Sequence, residues 1–167
     1  DLGLALIIGV ELRLVDGPHL VLLADDLRAY QRIAALVTRG RRRQPKGAYE
    51  LRLDDLELLA GAGLVVLLPS LDPAADETAC AWLAPRFPAR LWLGVGLFYS
   101  GYDGQLLAHA EALGARHGVP LVAAGDVHMH CHARQPLQDT LTAIRHRTTV
   151  MAAGWQLFPN AERYLRP

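Results

Sequence analysis

Gly17-Pro-His-Leu-Val-Leu-Leu-Ala-Asp-Asp26 is the stretch that decides the fold class. A Gly-Pro turn opens it, a nearly all-apolar run from His19 to Ala24 follows, and two aspartates close it. An apolar run of this length between turn formers reads as a strand, and one apolar on both sides suits a parallel sheet covered on both faces. Asp25 or Asp26 can cap the helix that follows, expected to about Arg39 with Leu27, Ile33, Leu36 and Val37 facing inward.

Working outward, the pattern repeats. Ala5–Leu14 reads as a strand ahead of the turn. Gly40–Arg52 is polar, basic and holds Pro and Gly, so it reads as a loop, with a short helix over Asp54–Ala60. Leu64–Leu68 is a strand closed by Pro69-Ser70, Ala74–Arg86 a helix, and Arg90–Leu97 a strand. Gly101–Gly104 is a turn, Gln105–His117 a helix stopped by Gly118, Pro120–Gly125 a strand, and Pro136–His146 a helix. Strands alternating with helices of about a dozen residues point to βαβ units and an α/β fold. The expectation is a barrel of the β/α kind, with parallel strands, helices outside and functional residues at strand C-termini. No strand runs into G-x-G-x-x-G or a P-loop, so dinucleotide binding has no motif support.

The 167 residues suffice for one core, and the formal net charge is zero, so no overall field draws the chain to nucleic acid or membrane. Its 17 basic residues are all Arg save Lys46. That skew reads either as composition bias or as selection for phosphate-binding forks. Two cysteines, Cys80 and Cys131, make no disulfide framework and no CxxC knuckle, which fits a reducing, cytoplasmic compartment. No apolar run reaches membrane-spanning length, and the N-terminus has no signal-peptide pattern. The chain opens on Asp1 without an initiator Met, and Asn160–Pro167 looks like a helix starting after a cap at Asn160. Both features suggest a piece of a longer protein.

Several polar residues fall at strand ends. Glu11 closes the run Ile8-Gly9-Val10-Glu11, His19 opens the second strand, and Asp126 and His128 follow Pro120–Gly125. Residues two apart in an extended segment face one side, so Asp126 and His128 would share a site. Carboxylate and imidazole together suit zinc, manganese or iron, and such a site can activate water for phosphoester hydrolysis. The alternative is a set of ordinary hydrogen-bonded residues. His128, His130 and His132 would share one face if the chain stayed extended. If it bends into a loop ahead of the next helix, His130 and His132 are surface residues. Arg39, Arg41, Arg42 and Arg43 read either as a solvated, self-repelling loop or as a phosphate contact to DNA.

Gly9-Val-Glu11, Pro18-His-Leu-Val-Leu-Leu-Ala24 and Ala123-Ala-Gly-Asp-Val-His-Met-His130 resemble the PHP (polymerase and histidinol phosphatase) domain of bacterial C-family DNA polymerases. Thr38-Arg-Gly-Arg-Arg-Arg43 ahead of Gly47-Ala-Tyr49, Leu137–Arg145 and Leu157–Arg163 resemble the error-prone branch of that family. The resemblance runs nearly end to end and in order. It implies a distorted, TIM-like (β/α) barrel, here incomplete and lacking its N-terminal strands. It also implies a multi-metal site in which Glu11, His19, Asp126 and His128 match ligand positions for zinc or manganese and converge on one point. The opening H-x-H motif would lie upstream of Asp1. Ser70 stands where the family often has Cys or His, and Gly96 where a glutamate is expected.

The resemblance places a PHP domain at 1–155 and the start of a connection toward the polymerase core at 156–167. It implies a parent that extends primers across damaged template, with the palm and its catalytic carboxylates elsewhere. Within that parent the domain serves mainly as a structural module holding a partial metal set. Its partners are the remainder of the polymerase chain and, through the parent, DNA, with no membrane. Two other hypotheses stand beside it: a metal-dependent phosphoesterase, free-standing or proofreading, and a simple interaction domain.

Overall fold

The computed structural model describes residues 3, 6–70 and 72–166. Ala5, where the sequence places the start of the first strand, lies outside them. The order is β1 (Ile8–Arg13), β2 (His19–Ala24), α1 (Leu27–Arg42), a 3-10 helix (Leu53–Leu59), β3 (Leu64–Leu68), α2 (Pro73–Leu83), β4 (Leu91–Val95), α3 (Asp103–His117), β5 (Leu121–Ala123), α4 (Gln135–Arg145) and α5 (Val150–Ala153). The fold is mixed α/β. One open sheet runs β1-β2-β3-β4-β5, with β1 and β5 at its edges.

The strands are not all parallel, which corrects the sequence expectation. β1 pairs antiparallel with β2 from Ile8↔Ala24 to Arg13↔His19. β2 pairs antiparallel with β3 from His19↔Leu68 to Leu23↔Leu64. Only the short link Leu14–Pro18 joins β1 to β2, and a parallel crossover needs roughly a dozen residues or more. From β3 onward the sheet is parallel. Val65↔Leu91 to Leu67↔Leu93 pair β3 with β4 across α2. Leu93 N–H to the Pro120 carbonyl and Ala124 N–H to that of Val95, each 2.9 Å, give β4 and β5 the offset of a parallel pair.

Burial follows the pairing. β2 and β3 alternate between buried and half-buried positions, with Leu20, Leu22, Val65 and Leu67 inward. Along β2 and β3 one face is therefore dry and the other only partly covered. Ile33 and Leu36 of α1 join that core with Leu51, Leu56, Leu59, Cys80, Leu83, Phe87 and Leu93. Val37 is half-buried, but Leu27 is 70% exposed. Asp26 explains this: its Oδ1 accepts the Ala29 N–H at 2.6 Å, so Leu27 is the first helical residue and lies on the outer side of the opening turn.

Helix α1 also runs to Arg42, past the expected stop at Gly40. Gly40 is buried inside the helix, where a Cβ would stand 2.7 Å from Leu51 Cγ. It is a close-approach glycine rather than a terminator. No helix starts at Asn160. Its side chain instead bridges two segments, Nδ2 donating to the Phe98 carbonyl at 2.6 Å and Oδ1 accepting the Glu162 N–H at 3.1 Å. An Asx turn has replaced the cap, the competing use of the same short side chain.

The chain divides into two compact units, Asp1–Gly94 with Leu106–Val122, and Val95–Gln105 with Ala123–Pro167. The first holds nearly all the large buried side chains. The second buries Val95, Met129, Ala143, Ala153 and Ala161. On α4 it leaves Leu137, Leu141 and Ile144 exposed at helical spacing.

Gly63 precedes β3 with φ +76°, and a Cβ there would lie 2.9 Å from the Leu23 carbonyl oxygen. Both the dihedral and the backbone neighbour forbid a side chain. Gly63→Ala should lower unfolding stability by about 1–3 kcal/mol, read as a reduced urea midpoint at unchanged slope.

Candidate functional site

The hairpin brings the first two candidate residues together. Glu11 faces Val21 and Arg13 faces His19, so Glu11 and His19 are diagonal neighbours on one side of the ladder. Glu11 Oε1 lies 2.6 Å from His19 Nε2. The imidazole is the better covered of the two, 23% exposed against 54% for the carboxylate.

Asp126 and His128, in the second unit, also meet, but not by extended alternation. Asp126 has φ +38°, a left-handed turn that Asp tolerates better than most residues. The turn sets His128 Nε2 at 3.1 Å from Asp126 Oδ1. His128 and Met129 N–H both donate to the Arg163 carbonyl, at 2.8 and 3.1 Å, and Leu165 N–H returns to the Met129 carbonyl at 2.8 Å. Segment 128–129 is thus laced to 163–165 as a short parallel bridge.

Arg163 completes this cluster. Its Nη1 forms an ion pair with Asp126 Oδ2. The guanidinium carbon sits 4.0 Å from the centre of the Phe98 ring and 4.6 Å from that of Phe158. Phe158 is in turn 4.8 Å from the His128 ring. Burial pulls the Arg163 pKa below its ordinary value. In the sequence Arg163 stands out only as the end of the Leu157–Arg163 stretch, with no site role. The one available signal was a cation flanked by aromatic residues, and that is too common to single it out.

Gly96 and Ser70, where the resemblance leads one to expect other residues, each have a local explanation. A Cβ at Gly96 would lie 2.7 Å from the Ala124 carbonyl and 2.3 Å from the Phe98 ring, so no glutamate fits there. Ser70 is committed elsewhere. Its N–H donates to Asp76 Oδ2 at 2.7 Å and its hydroxyl lies 3.2 Å from Oδ1. Buried Asp76 also meets His109 Nε2 at 3.0 Å, which fastens the end of β3 to α2 and α3. His130 and His132 are exposed where the chain bends into a 3-10 turn ahead of α4. The hollow beside them, lined by His128, His130, Arg134 and Leu141 among others, holds about 100 Å³. Small-molecule sites take roughly 300 Å³ or more.

Each carboxylate–imidazole pair offers two donors, where a structural zinc takes four protein ligands and a catalytic one three. Among the described residues no group of three or more His, Cys, Asp or Glu side chains is disposed to hold a metal ion. Asp126 is moreover engaged by Arg163. Neither pair as arranged fits a bound metal.

The basic run divides by function. Arg39, Arg41 and Arg42 lie in the last turn of α1 and Arg43 is its C-cap, an end of the helix that favours cations. Arg43 forks onto buried Asp55, Nη1 to Oδ2 at 2.5 Å and Nη2 to Oδ1 at 2.8 Å. Arg39 approaches the same carboxylate at 3.5 Å. Arg41 lies 5.5 Å over the Tyr49 ring. No ion pair of Arg42 is found among the described residues. Two of the four arginines are therefore tied into the fold. The sequence expectation of one self-repelling loop missed this because the partner, Asp55, lies a dozen residues on.

Arg43 holds the Asp55 carboxyl below the usual carboxylate range, helped by the Arg52 N–H. A depressed folded-state pKa stabilises above the unfolded value of about 4, and that stability is lost as pH falls through the folded value. Asp55→Asn should cost about 2 kcal/mol at pH 7 and narrow the gap to the wild type as pH drops from 5 to 2. Urea midpoints across that range check it.

No protein-family model matches the chain. A protein named error-prone DNA polymerase from Methylococcus capsulatus is 54% identical over 166 residues, 99% of this chain and 16% of that protein. Proteins of the same name from Pseudomonas syringae pv. tomato and Pseudomonas paraeruginosa are 48% and 50% identical over 99% and 97% of the chain. The chain spans about 16% of the length of these curated relatives, and over nearly all of its own length it is similar to one segment of error-prone DNA polymerases.

Proposed function

We propose that these residues form a PHP-type module of an error-prone, translesion DNA polymerase. Its role is mainly structural, its barrel is incomplete without upstream strands, and the polymerase palm lies elsewhere in the parent. The observation that carries this reading is the 54% identity over 99% of the chain to a protein of that name. Residues 1–155 would be the module and 156–167 the start of the connection toward the polymerase core. Its partners are the rest of the parent chain and DNA. No helix among the described residues is long and apolar enough to cross a membrane, and a cytoplasmic setting suits a polymerase.

Glu11, His19, Asp126 and His128 are, on this reading, the remaining part of a family ligand set. They would hold zinc or manganese weakly, and the module would hydrolyse no phosphoester. A second reading, a metal-dependent phosphoesterase, draws on the same two carboxylate–imidazole pairs. Elemental analysis after dialysis should find substoichiometric metal, and a chromogenic phosphodiester assay with added manganese should stay at background. Stoichiometric metal with turnover abolished by Asp126→Ala would favour the phosphoesterase.

DNA binding, on the same reading, falls to Arg41 and Arg42 more than to Arg39 and Arg43, which Asp55 already engages. Replacing Arg41 and Arg42 by Gln in the full-length polymerase should lower the slope of log affinity against log salt by roughly one unit for each phosphate that is no longer neutralised. An unchanged slope would leave these arginines as a solvated helix end.

A further inference from the structure

Asp126 already has a cation at hand. Both of its carboxylate oxygens are used, Oδ1 by His128 at 3.1 Å and Oδ2 by Arg163. The guanidinium has further partners. Its carbon lies 4.0 Å from the centre of the Phe98 ring and 4.6 Å from that of Phe158, an arrangement that favours a cation. The main chain of the same residue receives the His128 and Met129 N–H groups at 2.8 and 3.1 Å. One residue thus binds the carboxylate through its side chain and the histidine's segment through its carbonyl.

We infer that Arg163 is a built-in counter-ion of the Asp126–His128 pair, standing in the place of a divalent metal and excluding it. The inference rests on reading Asp126 and His128 as former ligand positions. A guanidinium stays charged across the whole physiological range and matches a carboxylate's geometry, so it supplies what a metal would supply structurally. It has no open coordination position and cannot activate water. Metal and Arg163 are then competing partners of one carboxylate, and this strand end keeps its geometry without metal.

The test uses the full-length polymerase with Arg163→Met and Arg163→Lys, each alone and combined with Asp126→Asn. Two quantities are read: manganese affinity by electron paramagnetic resonance, and the thermal midpoint of the transition that includes these residues. Arg163→Met should bind manganese about ten-fold more tightly than wild type, a change of the size that partners of metal ligands produce. The gain should vanish when Asp126→Asn is added. Arg163→Met should also lower the midpoint by roughly 2–4 °C, and Arg163→Lys by less. In the Asp126→Asn background the two should no longer differ. No gain in manganese affinity, or a midpoint loss equally large without the carboxylate, would overturn the inference and leave Arg163 a packing residue. So would a wild-type chain that already binds stoichiometric manganese through Asp126. If Arg163→Met does not fold, Arg163→Gln, which also removes the charge, carries the same manganese comparison. Failure of the polymerase reading would show separately, as absence of nucleotide incorporation by the full-length chain.

Discussion

Five residues, Leu14–Pro18, separate the end of β1 from the start of β2, and so short a link can only turn the chain back on itself. Most of the first unit depends on that constraint. It makes β1 and β2 a hairpin, fixes the register Glu11↔Val21 and places His19 diagonally across from Glu11. With β2 antiparallel to β3 as well, the parallel part of the sheet begins only where α2 provides a long crossover. The Glu11–His19 pair is therefore a product of hairpin geometry. Neighbouring side chains on one face of a ladder meet whether or not a ligand requires it.

A second constraint governs charge. Asp55 is 4% exposed, and a carboxylate that deep is stable only with partners. It takes Arg43 through a two-pronged fork, Arg39 at longer range and the Arg52 N–H at 2.9 Å. These interactions fasten the C-terminus of α1 to the 3-10 helix that follows. They also engage half of the basic run inside the fold. Four clustered arginines suggest a field that reaches outward, yet a buried acid among them turns part of that field into structure. Arg41 and Arg42 remain as its outward half.

The legible parts of the chain were those set by local chemistry. β2 and β3 fall where the apolar runs His19–Ala24 and Leu64–Leu68 place them, and the Asp26 cap was one of two aspartates proposed. Gly118, with φ +67°, follows α3 as a stop should. Strand direction was misjudged because an all-apolar run was taken to require a parallel sheet, while the five-residue link beside it forbade one. Gly40, read as the start of a loop, and Asn160, read as a cap, were misplaced for a common reason. Each residue type has a local use, in a loop or at a helix start, and a tertiary one, as close approach or bridge. The tertiary partners, Leu51 and Phe98, lie too far along the chain for spacing to reveal them. At the site, the pairing of Asp126 with His128 followed from their separation of two, though a left-handed turn at Asp126 produced it. Arg163 was out of reach, because 37 residues separate it from Asp126.

The contrast between the two pairs is physical. Glu11 and His19 sit at the hairpin's surface with the carboxylate half in water, where a lone side-chain contact adds little. Asp126 and His128 are exposed too, at 42% and 38%, but they adjoin a half-buried guanidinium that lies over the Phe98 and Phe158 rings. A carboxylate in that position can be neutralised from within or from a bound cation. Arg163 achieves it from within, at the cost of the open coordination that hydrolysis would need. Gly96 is consistent with the same outcome, since the Phe98 ring that helps hold the guanidinium occupies the space a glutamate at 96 would require. The ring and the guanidinium thus form one self-consistent arrangement, in which a side chain at 96 would displace the ring on which Arg163 lies.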